Sequence, residues 1–171
     1  LELHVLARDA ATVALIAQLR RSGLVRVKLP FGDTHLAELP DGPLVLIAAG
    51  TGMAQMHSLI EHCRAAGFKY PVHLYWGART AADFYELPHW QEWQTLANLR
   101  VQRVVSEDPH WPGRRGLLHA AVREDFADLK PLHVYASGSP GMVYATLDAL
   151  VEAGMDAQQM RADVFAYAPR D

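Results

Sequence analysis

One cysteine, Cys63, stands among 171 residues. A single thiol excludes any intrachain disulfide framework and fits a reducing, cytoplasmic compartment. Charge of one sign is missing as well. Sixteen Lys and Arg face 19 Asp and Glu, for a formal net charge of −3. A near-neutral chain with no basic stripe offers little footing for nucleic acid. No apolar stretch approaches the roughly 20 residues that span a bilayer. The longest, residues 43–49, is strand-sized. The opening LELHVLARDA has no basic stretch ahead of a long apolar run, so it is not a secretory signal. Metal spacing is absent too. The nine histidines are scattered, His57 and His62 lie too far apart to share a helical face, and no H-E-x-x-H occurs. No metal site is expected.

What remains is a globular composition: half apolar residues and one fifth charged. The length fits one main domain. Residues 1–7 (LELHVLA) and 24–29 (LVRVKL) alternate apolar with polar residues and read as strands. Residues 10–21 read as a helix. Two strands alone are marginal in water, so this opening segment must pack on something larger. It starts at Leu1 rather than Met and enters on a strand, so the expectation is a chain that begins inside a longer protein.

From Leu44 the pattern changes. LVLIAA is a continuous apolar run, as in a strand buried on both faces of a parallel sheet. Gly50-Thr51-Gly52 follows, then a helix over 53–66 closed by Gly67. A strand is expected at 72–76, a mostly helical stretch at 83–97, and strands at 99–105 and 132–136. Helices are expected at 116–127 and 142–153, and a fifth strand at 160–167. Strands alternating with helices imply βαβ units and a parallel sheet covered on both faces.

In such sheets ligands sit at the carboxyl ends of the strands, so the strand-to-helix turns carry the chemistry. AAGTGMA (48–54) has small residues that let a backbone approach a ligand, and a helix start that attracts phosphate. The full G-x-G-x-x-G pattern is absent, and taken alone the turn reads equally as a packing turn. VYASGSPGM (134–142) is a second such turn, with Gly138, Ser139 and Pro140 at a helix start. It is not a nucleophile elbow, because Ser137 stands where glycine is needed. No histidine follows Ser139, which excludes a hydrolase triad in that order. Cys63 lies well inside its helix and reads as a packing residue. Trp90 and Trp93 read as a core or interface face.

Five blocks occur in order: PLVLIAAGTGMAQMHSLIEH, VHLYWGARTAADFYEL, GRRGLLHAAV, HVYASGSPGMVYATLDAL and RADVFAY. Together they resemble the NAD(P)H-binding domain of the ferredoxin–NADP reductase superfamily. They are most similar to the NAD(P)H:flavin reductases. The resemblance implies an α/β fold: a five-stranded parallel Rossmann-like sheet with helices on both faces, preceded by a short β-rich remnant of a flavin-binding barrel. Residues 1–43 would be that remnant and a linker, and 44–171 the NAD(P)H-binding domain. Pro30-Phe31-Gly32-Asp33 resembles the end of the barrel. The family's R-x-Y-S strand is absent, and DAATVALIAQL (9–19) has no glycine for its phosphate turn. Tight binding of FAD or FMN by this chain alone is therefore not expected.

By the same resemblance, Gly50, Thr51 and Gly52 lie by the nicotinamide and pyrophosphate, with Met53 where the family has Phe. Gly77, Ala78 and Arg79 form the adenosine-side turn, with Arg79 for the ribose or a 2′-phosphate. Ser137-Gly138-Ser139-Pro140 matches a C-G-P-P turn, with Ser137 in place of the Cys beside the nicotinamide, and Met142 closes that block. Phe165, after Asp163, matches an aromatic that faces the flavin, or else packs in the core. Thr51, Ser137 and Phe165 are thus the candidate catalytic positions. The implied reaction is hydride transfer from NAD(P)H to flavin, with an electron-acceptor protein as a further partner. The alternatives are a non-catalytic nucleotide-binding or regulatory module and the reductase component of a multicomponent oxygenase. Unpaired strand edges in the opening segment would favour a homodimer.

Overall fold

The LVLIAA run forms strand β1 (Leu44–Ala49), whose first five residues are buried. It is the central strand of an open, all-parallel sheet in a computed structural model that describes residues 2–29, 32 and 34–170. Its neighbours are β2 (Val72–Ala78) on one side and β5 (His133–Ser137) on the other. Beyond β2 come β3 (Leu99–Val105) and the two-residue β4 (Arg114–Arg115), and beyond β5 comes β6 (Met160–Arg161). The strand order is β4-β3-β2-β1-β5-β6. The short β4 was not expected, and with it the sheet has six strands rather than five.

The pleat sends alternate residues of β1 to opposite faces. Leu44, Leu46 and Ala48 join α2 (Met53–Ala65) and α3 (Trp90–Trp93) in one core. Val45 and Ile47 join α4 (Leu118–Asp125), α5 (Pro140–Glu152) and α6 (Val164–Tyr167) in the other. Leu44, Leu46 and Ile47 are fully buried, each contributing about 1.5–3 kcal/mol relative to exposure. Helix ends follow local chemistry. Gly67, at φ +68°, closes α2: its N–H donates to Arg64 O, and that of Phe68 donates to Cys63 O. This pair of bonds satisfies the last carbonyls, and a left-handed residue is what it requires. Ser139 caps α5 by accepting from the Met142 N–H, and Pro140 takes the first helical position, where a missing N–H costs nothing.

Three expectations need correction. The helix over 83–97 shrinks to one turn, α3. Pro88 removes a donor, His89 adopts φ +62°, and the aromatic residues spend their surface on tertiary partners instead. The Arg103 guanidinium sits over Trp90, Phe84 and Trp76, at 4.4, 5.1 and 5.5 Å from their ring centroids. Trp93 is fully buried and donates from Nε1 to Glu61 at 2.9 Å. The strand over 160–167 ends after Arg161, and the chain turns into α6, so Phe165 lies on a helical turn. The β-rich opening is the third. Residues 2–8 and 24–29 join no ladder, although α1 (Ala10–Ser22) forms as expected with an Asp9–Thr12 capping box and Gly23 as its left-handed C-cap. Alternation in sequence needs a neighbouring strand to become a ladder, and none of the described residues supplies one to these segments. Leu1, Pro30, Phe31 and Asp33 lie outside the described residues.

Candidate functional site

The strand order reverses at β1. The chain proceeds outward through β2 and β3, then returns to lay β5 on the other side of β1. At such a switch point the turns that leave the two strands diverge and open a crevice. Here those turns are Gly50-Thr51-Gly52 and Ser137-Gly138-Ser139, brought side by side because Ala48 pairs with Ser137. They touch. A Cβ on Gly52 would lie 2.5 Å from the Ser137 carbonyl carbon and 2.9 Å from its Oγ, so only glycine fits. Gly50 has φ +56° and open space on its Cβ side. No side chain caps the start of α2, so that positive end of the helix dipole is left to the cleft.

The cleft that results holds about 1360 Å³. The two turns form its floor, with Met142 beside Gly138. Gly77, Ala78 and Arg79 at the end of β2 form one wall, with Leu117 and Leu118 next to them. Gly77 permits that packing, since a Cβ there would lie 2.6 Å from Leu118 Cδ1. A polar clamp fixes the same corner. The Asp125 carboxylate accepts from Tyr75 Oη, Gln102 Nε2 and Arg114 Nη1, each at 2.6 Å. Burial pushes this carboxyl up, but the Arg114, Tyr75 and Gln102 hydrogen bonds outweigh it and hold it below the usual range. The clamp ties β2, β3 and β4 to α4, just before and after the cleft-lining residues 116–118.

The opposite wall comes from the opening segment. Glu2, Leu3, His4, Val5, Leu6 and Arg8 line the cleft. His4 anchors them. Its side chain is only 6% exposed; Nε2 meets the Glu2 carboxylate at 2.6 Å and Nδ1 meets Tyr85 Oη at 2.6 Å. Both ring nitrogens are thus engaged, one by a carboxylate and the other by a hydroxyl, which fixes the orientation of the ring. Burial pushes the Tyr85 hydroxyl up to about 12, so it stays protonated and able to donate.

Ten of the residues singled out in the sequence line this cleft: Gly50, Thr51, Gly52, Gly77, Ala78, Arg79, Ser137, Gly138, Ser139 and Met142. Three do not. Met53 is fully buried in the core. Pro140 begins α5 outside the cleft lining. Phe165 packs against the core and the Tyr144 ring, at 5.6 Å between centroids. Tyr167 lines the cleft instead and is 65% exposed. Sequence reading also missed Glu107. Its carboxylate takes two hydrogen bonds from Arg79, Nε to Oε1 and Nη2 to Oε2, both 2.8 Å. The signal was available, because Glu107 follows the carboxyl end of β3. Among the described residues no group of three or more His, Cys, Asp or Glu is placed to hold a metal ion, and no helix is long and apolar enough to cross a membrane.

An open doubly wound parallel sheet with a glycine-floored cleft at its switch point defines a nucleotide-binding α/β domain. The chain belongs to the oxidoreductase NAD-binding domain family, whose pattern matches residues 46–148, and within it to the NAD(P)H-dependent flavin and electron-transfer reductases. It is 33% identical over 176 residues to the NAD(P)H-flavin reductase of Vibrio harveyi, covering 98% of this chain and 74% of that protein. It is 32% identical over 170 residues to protein RfbI of Salmonella typhimurium strain LT2, covering 96% of this chain and 51% of that protein. Among solved structures it is similar to the Amycolatopsis cytochrome P450 reductase GcoB, with a TM-score of 0.72 and 30% identity, over 82% of this chain and 45% of that one. The chain thus spans about half the length of the Salmonella protein and of the P450 reductase.

Proposed function

We propose that the protein binds a reduced nicotinamide dinucleotide in this cleft and serves its transfer of a hydride to a flavin. The observation that carries the reading is the contact of Gly52 with Ser137. It makes the cleft floor from bare backbone at the carboxyl ends of two adjacent parallel strands. A pyrophosphate needs such a floor, and the uncapped start of α2 faces it with positive potential. The volume fits as well. At about 1360 Å³ the cleft exceeds the usual range of roughly 300–1,000 Å³ for one drug-sized ligand, leaving room for a dinucleotide and the edge of a second ring system.

When bound, the nicotinamide supplies the hydride and the flavin, FAD or FMN, accepts it. The chain's own residues position and shield. Gly50, Gly52 and Gly138 give the backbone its close approach. Thr51 and Ser137 place hydroxyls on the floor where a carboxamide can be oriented, and Met142 supplies an apolar side that excludes water. Gly77, Ala78 and Arg79 hold the adenosine end. Tyr167, rather than Phe165, is the aromatic ring that the C-terminal segment brings to the cleft. Residues 1–43 belong to the flavin side, which accounts for a cleft wall built from residues 2–8. An electron-acceptor protein is the further partner, in keeping with the reductases this chain resembles. No acid–base pair is needed for this chemistry; alignment supplies the rate enhancement.

Calorimetric titration of the full chain with NADH and NADPH tests the reading. Saturable binding of at least one is expected, and Gly52→Leu should abolish it. Absence of binding by either at millimolar concentration would overturn it.

A further inference from the structure

We infer that Glu107 makes the adenosine end of the cleft selective for NADH over NADPH, an inference that rests on the nucleotide-binding reading above. The β2–β3 ladder continues past the strand ends. The Ser106 N–H donates to Ala78 O at 3.0 Å, and the Glu107 N–H donates to Arg79 O at 2.8 Å. These two bonds hold Glu107 beside Arg79 at the rim. The side chains then close a bidentate pair, both bonds 2.8 Å, the geometry in which a guanidinium saturates one of its edges on a carboxylate. Arg79 holds the carboxylate below its usual range, so Glu107 is charged at neutral pH.

Arg79 is the one cation that the β2 turn offers to a nucleotide, and the pair occupies its Nε/Nη2 edge, leaving the Nη1 side for a ligand. Asp83, held by the Thr80 N–H and hydroxyl at 2.8 and 3.0 Å, adds a second carboxylate nearby, and Arg8 offsets that charge. A ribose 2′-hydroxyl suits this rim. It is neutral, donates to a Glu107 oxygen and accepts from a remaining Arg79 N–H. An acid in this role is a general feature of sites that hold an unphosphorylated ribose. A 2′-phosphate suits it badly. It carries two charges of the same sign as Glu107, meets that carboxylate at close range, and gains the bidentate edge of Arg79 only by displacing it. Discrimination therefore comes from a repulsive group as well as an attractive one.

The test is a pair of titrations of the full chain at fixed ionic strength, because salt weakens charge effects at an exposed rim. The wild type is expected to bind NADH at least about tenfold more tightly than NADPH, a modest penalty for juxtaposed like charges. Glu107→Gln keeps the shape and removes the charge, so it should raise NADPH affinity by a similar factor and lower NADH affinity by less. Arg79→Ala in that background should cancel the gain. Both side chains are more than half exposed, so neither change threatens the fold, and thermal melting confirms this. Equal affinities in the wild type, or an unchanged ratio in Glu107→Gln, would overturn the inference alone. Failure of the wild type to bind either nucleotide would overturn the cleft reading along with it.

Discussion

Replacing Gly52 with alanine introduces one methyl group at the contact between the two cleft turns. The backbone there is compatible with alanine, since Gly52 has φ −56° and ψ −17°. On backbone grounds alone the change would stabilise the protein by about 0.4–1 kcal/mol, through a less flexible unfolded chain. The obstacle is what the methyl meets: the Ser137 carbonyl carbon at 2.5 Å and Oγ at 2.9 Å, where ordinary carbon contacts lie near 3.5–4.0 Å. Ser137 is held by its pairing with Ala48, so its carbonyl cannot swing aside alone. Relief requires α2 to move off β5 by about 1 Å, and overpacking of this kind costs roughly 1–3 kcal/mol. The net expectation is a loss of about 1–2 kcal/mol. At roughly 2–4 °C per kcal/mol for a domain of this size, Tm should fall by about 2–8 °C. Circular dichroism melts measure it, with Gly138→Ala as the comparison. A Cβ on Gly138 meets chiefly the Met142 methyl, a flexible side-chain tip, so that variant should lose less. If Gly52→Ala melts at or above the wild type, or below it by no more than Gly138→Ala, the tight seam between the turns is not structural, and the cleft floor was misjudged.

Three more expectations follow from the fold. Cys63 is 4% exposed, and burial pushes its thiol up to about 11; native protein should resist a thiol-specific reagent at neutral pH and react on unfolding, and rapid native labelling would contradict its place in the core. Asp125 has a folded-state pKa below its unfolded value of 3.8, so its stabilising contribution is complete above that value and is lost as pH falls through it toward the lower folded one. Asp125→Asn should lower stability at neutral pH and flatten the fall in stability below about pH 4; an unchanged acid profile would remove the clamp from the account. Tyr75→Phe deletes one donor to the same carboxylate and should cost about 1.5–3 kcal/mol by chemical denaturation, the range for a hydrogen bond to a charged group.

The central sheet was readable because its signals are local. LVLIAA has no polar residue to place on a solvent face. The turns carry glycine where backbones touch, and Gly67 ends its helix by its own conformation. The reading failed where partners decide the outcome. Trp90 and Trp93 have helical spacing, but Arg103, Trp76 and Glu61 determine how much of a helix they join. Residues 1–7 and 24–29 alternate well, yet alternation states only that a strand would have two faces. RADVFAY reads as a strand until α6 places Phe165 against Tyr144 and Tyr167 in the cleft. Glu107 and His4 were passed over for another reason: the place of Glu107 after β3 was legible, but the partners of the two side chains were not. Each is an ordinary polar residue until the fold sets it beside Arg79 or Tyr85.

The contact between Gly52 and Ser137 also has a consequence for the order of assembly. Gly52 belongs to the first βαβ unit, which local pairing of β1 with β2 can complete by itself. Ser137 lies far along the chain, beyond β3, β4 and α4, because β5 returns across the sheet to reach β1. Contacts so distant in sequence form late and slowly. The ability to hold a ligand should therefore appear after most of the secondary structure has formed, and be lost before it on unfolding.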